Sequence, residues 1–84
     1  MTLVVSPEAT RSLRGCPPKV AEKVLDEMEK IAADPFGKHL RAKRLAGSSS
    51  FRLRVGDWRA LYTVDIGLAR VALVDVLHRS EAYR

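Results

Sequence analysis

Cysteine is nearly absent from this chain, and the one present, Cys16, has no second thiol with which to close an internal disulfide. A domain without such a staple rests on its core alone, and a reducing compartment, the cytoplasm, is the expected location. Cys16 stands before Pro17-Pro18 in a turn, with no clear histidine partner, so no thiol catalysis is expected of it. Long apolar runs are missing as well. None approaches the length of a membrane span, and Met1-Thr2-Leu3-Val4-Val5 is too short for the apolar part of a signal peptide. No membrane partner is expected. Aromatic residues make up only 6% of the chain, and Phe51, Trp58 and Tyr62 alternate toward an apolar face. They read as core, which argues against a plain RNA-binding domain built on stacking platforms. Acidic residues are also in deficit, with ten Asp and Glu against fifteen Lys and Arg and a net charge of +5. That balance favours nucleic acid or an acidic protein as partner.

What remains, at 46% hydrophobic and 30% charged over 84 residues, suits one small domain spanning residues 1–84. Its charge is uneven. Residues 38–59 carry Lys38, Arg41, Lys43, Arg44, Arg52, Arg54 and Arg59 against Asp57 alone, while the acidic load sits between Glu22 and Asp34. The chain is organised around the stretch from Phe51 to Asp65, which reads as two strands joined at Gly56-Asp57. Phe51, Leu53 and Val55 alternate with Arg52 and Arg54; Trp58, Ala60, Tyr62 and Val64 alternate with Arg59, Leu61 and Thr63. Period-two spacing places the apolar sets on one face and Arg52, Arg54 and Arg59 on the other. Three permanently charged forks on one small face suit phosphate oxygens. Solvated charges on an open sheet face are the plainer alternative.

Taken in order, Thr2 to Val5 is a short β-branched strand. Ser6-Pro7-Glu8 supplies a hydroxyl cap, a proline at the first helical position and a carboxylate in the first turn. That helix is expected to run to about Arg14 and stop at Gly15. A second helix is predicted from Pro18 to Ala33, with Val20, Val24, Leu25, Met28, Ile31 and Ala32 on one stripe. A basic connection follows from Lys38 to Ser50, with Leu40 and Leu45 as anchors, His39 solvated and a turn at Gly47-Ser48-Ser49-Ser50. Arg70 to Leu77 is the last strand. Its alternation assigns Ala72, Val74 and Val76 to the helix-covered core and Val71, Leu73, Asp75 and Leu77 to the arginine face. Asp75 then pairs with an arginine, Arg59 first, or simply reaches water. The expected fold is α+β: an N-terminal strand, a helical hairpin and a three-stranded antiparallel meander. Together these make a four-stranded sheet with the helices on one face, and Phe51, Trp58 and Tyr62 buried against Val24, Leu25 and Met28.

The order of elements, with Leu45-Ala46-Gly47, the run Phe51 to Arg59 and the ending His78-Arg79-Ser80-Glu81-Ala82-Tyr83-Arg84, resembles the RelE/ParE superfamily of bacterial toxin–antitoxin toxins. The match spans essentially the whole chain, and the ending favours the RelE side. RelE-type members are mRNA endonucleases acting in the ribosomal A site; ParE-type members share the fold and poison DNA gyrase. The resemblance implies an active site at Arg52, Arg54, Arg59, Arg79 and Tyr83. The best-known members carry lysines at the first two positions. Arginine does not lose its proton, so Arg52 and Arg54 suit gripping and charge stabilisation rather than proton transfer.

The reaction so implied is attack of an RNA 2′-hydroxyl on the adjacent phosphate, giving a 2′,3′-cyclic phosphate and a 5′-hydroxyl. It needs a base, an acid and charge stabilisation on the phosphoryl oxygens. Arg54, Arg59 and Arg79 take the stabilising part. Tyr83 is the leading base, because nearby cations favour its phenolate. His78 is the competing proton carrier, although strand alternation aims it at the core. Arg52, with Lys38, Arg41, Lys43 and Arg44, is assigned to RNA binding. Implied partners are the ribosome, its mRNA and a cognate acidic antitoxin lying over the basic face or the helical hairpin, with DNA gyrase as the alternative target. No metal or cofactor is expected.

Overall fold

A computed structural model describes residues 1–45 and 49–82, with the side chain of Ala82 left aside. The elements are β1 (Thr2–Val5), α1 (Pro7–Gly15), α2 (Pro18–Ala33), β2 (Ala42–Arg44), β3 (Ser50–Val55), β4 (Trp58–Asp65), β5 (Arg70–His78) and α3 (Arg79–Ala82). The strands form one mixed sheet in the order β1-β5-β4-β3-β2. β1 runs parallel to β5, and all the other pairings are antiparallel.

Local chemistry explains the helices. The Ser6 hydroxyl accepts from the Ala9 amide at 3.0 Å, and Pro7 occupies the first turn, where its missing N–H costs nothing. Gly15 is the last helical residue rather than the cap. Cys16 takes that place, its amide bonded to the Leu13 carbonyl and its thiol donating to the Ser12 carbonyl at 3.2 Å. Burial pushes the Cys16 thiol pKa up, which keeps it protonated and unreactive. α2 buries Val24, Met28, Ile31 and Ala32 against the sheet, with Val20 and Leu25 at the margins. Among the described residues no helix is long and apolar enough to cross a membrane.

The core is the layer between the hairpin and the sheet, where Tyr62, Met28, Ile31, Leu53, Leu73, Val24 and Val71 are fully buried. Phe51 stacks on Tyr62 with centroids 5.1 Å apart and planes 10° from parallel. Trp58 is only half-buried, not enclosed as its place in the alternation suggests. Its indole and the His78 ring stand nearly perpendicular, with centroids 5.3 Å apart.

Besides Gly15 and Trp58, the sequence reading needs correction at several further points. The sheet has five strands, not four, because the basic connection contributes β2, whose Lys43 stands opposite Arg52. A short charged strand of this kind is a common way to guard a sheet edge. Leu40 is no anchor; it is 95% exposed. The pairing of β4 with β5 slips by one residue between Leu61 and Tyr62, a bulge that leaves Val74 without a partner. The slip reverses the facing of the earlier half of β5. Val71 and Leu73 are buried in the core, Val76 keeps its core place, and Val74 is exposed. Lastly, Asp75 accepts from the Ser12 hydroxyl and from the Val76 amide, so its partner is α1 and not Arg59.

Candidate nucleic-acid interface

The hairpin of β3 and β4 builds the basic face. Gly56 adopts φ +57° in the turn, a left-handed conformation that a side chain would strain, and the strands then pair Arg54 with Arg59 and Val55 with Trp58. β2 extends the pattern by setting Lys43 opposite Arg52. Like charges directly across strands repel. This face therefore sets like charges opposite each other in two adjacent rows, a concentration of positive charge that attracts an anion.

Each predicted residue has a definite place. Arg41, Lys43, Arg52 and Arg54 line a hollow of about 210 Å³ with Leu40, and no carboxylate is part of that lining. Arg59 is buried, 8% exposed. Its Nη1 donates to the carbonyls of Gly56 and Trp58, both at 3.0 Å. The guanidinium therefore clamps the β3–β4 turn, and Arg59 is not among the residues that line the hollow. Arg79 sits beyond the end of β5, with its amide on the Asp57 carbonyl at 2.7 Å and its Nε 3.8 Å from the Asp57 carboxylate. Arg59 and Arg79 thus hold the same turn from two sides.

Other candidates fall elsewhere. His78 pairs with Trp58, on the sheet side opposite Arg54 and Arg59, and its Nδ1 lies 2.9 Å from the Ser80 hydroxyl. Arg44 stands opposite Phe51, on the helix-bearing side. Lys38 lies outside the sheet-face hollow, in the connection that leaves α2. His39, read as solvated, is half-buried and has Nε2 2.6 Å from the Asp34 carbonyl. Tyr83, along with Ala46 and Gly47 of the quoted motif, lies outside the described residues. Sequence reasoning missed Asp57, whose role depends on the hairpin returning it to the start of α3. No periodicity marks it. Among the described residues no group of three or more His, Cys, Asp and Glu stands ready to hold a metal ion.

Chemically, the face can bind a phosphate and stabilise charge growing on it. A sequence comparison matches residues 3–83 to the family described as ParE toxin of type II toxin–antitoxin system, parDE. No curated protein matches the chain. Solved structures that it resembles include the RelBE2 toxin–antitoxin complex of Mycobacterium tuberculosis, 26% identical at TM-score 0.74, with 93% of this chain and 96% of that one covered. The isolated RelE toxin of Escherichia coli is 20% identical at TM-score 0.79, covering 98% of this chain and 89% of that one. A YoeB/ParE toxin from Agrobacterium tumefaciens is 18% identical at TM-score 0.77, covering 93% and 98%. The last two show a shared fold.

Proposed function

The chain belongs to the ParE toxin family of type II toxin–antitoxin systems, and within that family's fold we propose, from its basic sheet face, that it arrests translation as a ribosome-dependent endoribonuclease. The observation that carries this reading is the sheet-face hollow, in which Arg41, Lys43, Arg52 and Arg54 surround a space suited to a phosphate. Arg52 grips the RNA backbone. Arg54 and Arg79 stabilise the phosphoryl oxygens as the 2′-hydroxyl attacks, and Arg59 holds the turn that positions them. Tyr83 takes the proton from the 2′-hydroxyl. His78, on the opposite side of the sheet, is the weaker candidate for that task. With no strong base among the described residues of the hollow, the enzyme depends on the ribosome to set the in-line geometry. Complexes of toxin with antitoxin among the structural relatives support a cognate antitoxin as partner, and the charge of this chain favours an acidic one lying over the basic face or the helical hairpin.

The test is single-turnover cleavage of mRNA on programmed ribosomes, with ribosome affinity measured separately. Tyr83→Phe should lower the rate by about 100- to 10,000-fold and leave affinity nearly unchanged. Full activity in that variant would remove Tyr83 from the mechanism.

A second reading has its own support. The matching family is described by its ParE members, and binding to gyrase requires charge but no proton transfer. Gyrase supercoiling inhibited by a wild type that cleaves no mRNA would establish it.

A further inference from the structure

Two hollows meet at Arg41. One is the sheet-face site; the other, of about 330 Å³, lies between α2 and the connection that leads from it to β2. Its charged lining is Lys23, Lys30, Lys38 and Arg41 around a single carboxylate, Glu27. The two hollows share Leu40 and Arg41 in their linings, so basic side chains border the sheet edge near β2 on both sides.

Glu27 lies 3.3 Å from the Lys23 ammonium and 3.5 Å from that of Lys30. Partial burial acts to raise the Glu27 pKa, yet the hydrogen bond from Lys23 and the charge of Lys30 bring it below the usual range. The carboxylate is thus ionised, with Oε1 shared between the two lysines, and its single charge balances one of the four cations that line the hollow. Lysines flanking a glutamate on a helix are ordinarily just solvated. Here they line a concavity that adjoins a phosphate-sized hollow at Leu40 and Arg41, and cations line both. A lone phosphate needs one hollow; a repeating polyanion uses both. An acidic protein helix would want an apolar seam beside its carboxylates, and Leu40 is the one aliphatic side chain lining this hollow.

We propose that the two hollows act together as one channel, which carries the RNA strand beyond the reacting phosphate. The phosphodiester backbone leaves the Arg52–Arg54 hollow, crosses the sheet edge at Arg41 and is held on the helix side by Lys23, Lys30 and Lys38. The proposal rests on the reading of the sheet face as an RNA site, and it adds a second stretch of contact on α2.

The experiment uses the full chain with fluorescent oligouridylates of about 4 and about 12 nucleotides, spanning the site sizes usual for single-strand binders. Binding is followed by anisotropy at several salt concentrations. For the longer strand, Lys23→Gln/Lys30→Gln should weaken binding and make the plot of log K against log salt shallower by about 1.4, since each phosphate contact on a single strand contributes about 0.7. Lys38→Gln, outside the α2 ion pairs, should reduce the slope by about half as much. The shorter strand should hardly respond to either. An unchanged slope for the longer strand in both variants overturns the proposal. So does an equal loss of affinity for a polyglutamate peptide, which would make the channel a site for acidic protein. Cleavage on ribosomes is scored separately. A wild type that cuts no mRNA but shows the slope change keeps the channel and loses the ribonuclease reading.

Discussion

The hydroxyl of Ser12 donates to Oδ1 of Asp75 at 2.6 Å, joining α1 to β5 across 63 positions of sequence. The same oxygen accepts from the Val76 amide at 2.8 Å. The one carboxylate of β5 is thereby committed to docking a helix, and none enters the lining of the sheet-face hollow. A hydrogen bond to a charged group is worth about 1.5–3 kcal/mol. A double-mutant cycle with Ser12→Ala and Asp75→Asn should return a coupling energy of that order by urea denaturation. A coupling near zero would mean that the pair does not hold α1.

Arg59 and Arg54 face each other across the hairpin and should respond differently to loss. Arg59→Ala removes a buried clamp on the Gly56 and Trp58 carbonyls and should cost about 2–4 kcal/mol of stability, with activity falling alongside. Arg54 is exposed, and Arg54→Ala relieves a like-charge pair, so stability should stay within about 0.5 kcal/mol while cleavage declines. Parallel denaturation and cleavage measurements on both variants check the contrast.

Gly56 has open space where a Cβ would stand, so only its φ of +57° resists substitution. Gly56→Ala should therefore cost about 1–2 kcal/mol, the penalty of a left-handed backbone, and Gly56→Asn less. Thermal unfolding of the two variants gives the order.

Burial raises the Tyr62 phenol from 10.0 to about 12. A group whose pKa is higher folded than unfolded contributes stability that is whole below the unfolded value and is lost as pH rises through the folded one. Stability should accordingly fall between pH 10 and about 12 as the unfolded phenol ionises first. Tyr62→Phe should flatten that part of the profile. An unchanged alkaline slope would show that the ring is not held neutral by the core.

Much of the fold was legible in the residues because local rules and global packing agree there. α2 begins at Pro18 and ends at Ala33 as its proline and apolar stripe require. The alternation in β3 and β4 placed Arg52, Arg54 and Arg59 on one face, since a pleated strand has no other way to sort them. The cap at Ser6 was visible as a hydroxyl before proline and glutamate.

Tertiary structure decided the rest. Ala42-Lys43-Arg44 has no β-branched residue and becomes a strand only because β3 offers it an edge. The bulge at Val74 lies in an unbroken apolar run that carries no signal for it. What accompanies it is long-range: the Ser6 hydroxyl donates to the Val74 carbonyl at 2.6 Å, and Leu73 pairs with Tyr62 in the core. Two faces of one strand look alike in sequence when both are apolar, so a one-residue slip leaves the pattern unchanged and moves every side chain before it. The helix-side hollow was hidden for a related reason. Lys23 and Lys30 lie off the apolar stripe of α2, and they share a hollow with Arg41 only because the connection after Ala33 turns back beside that helix.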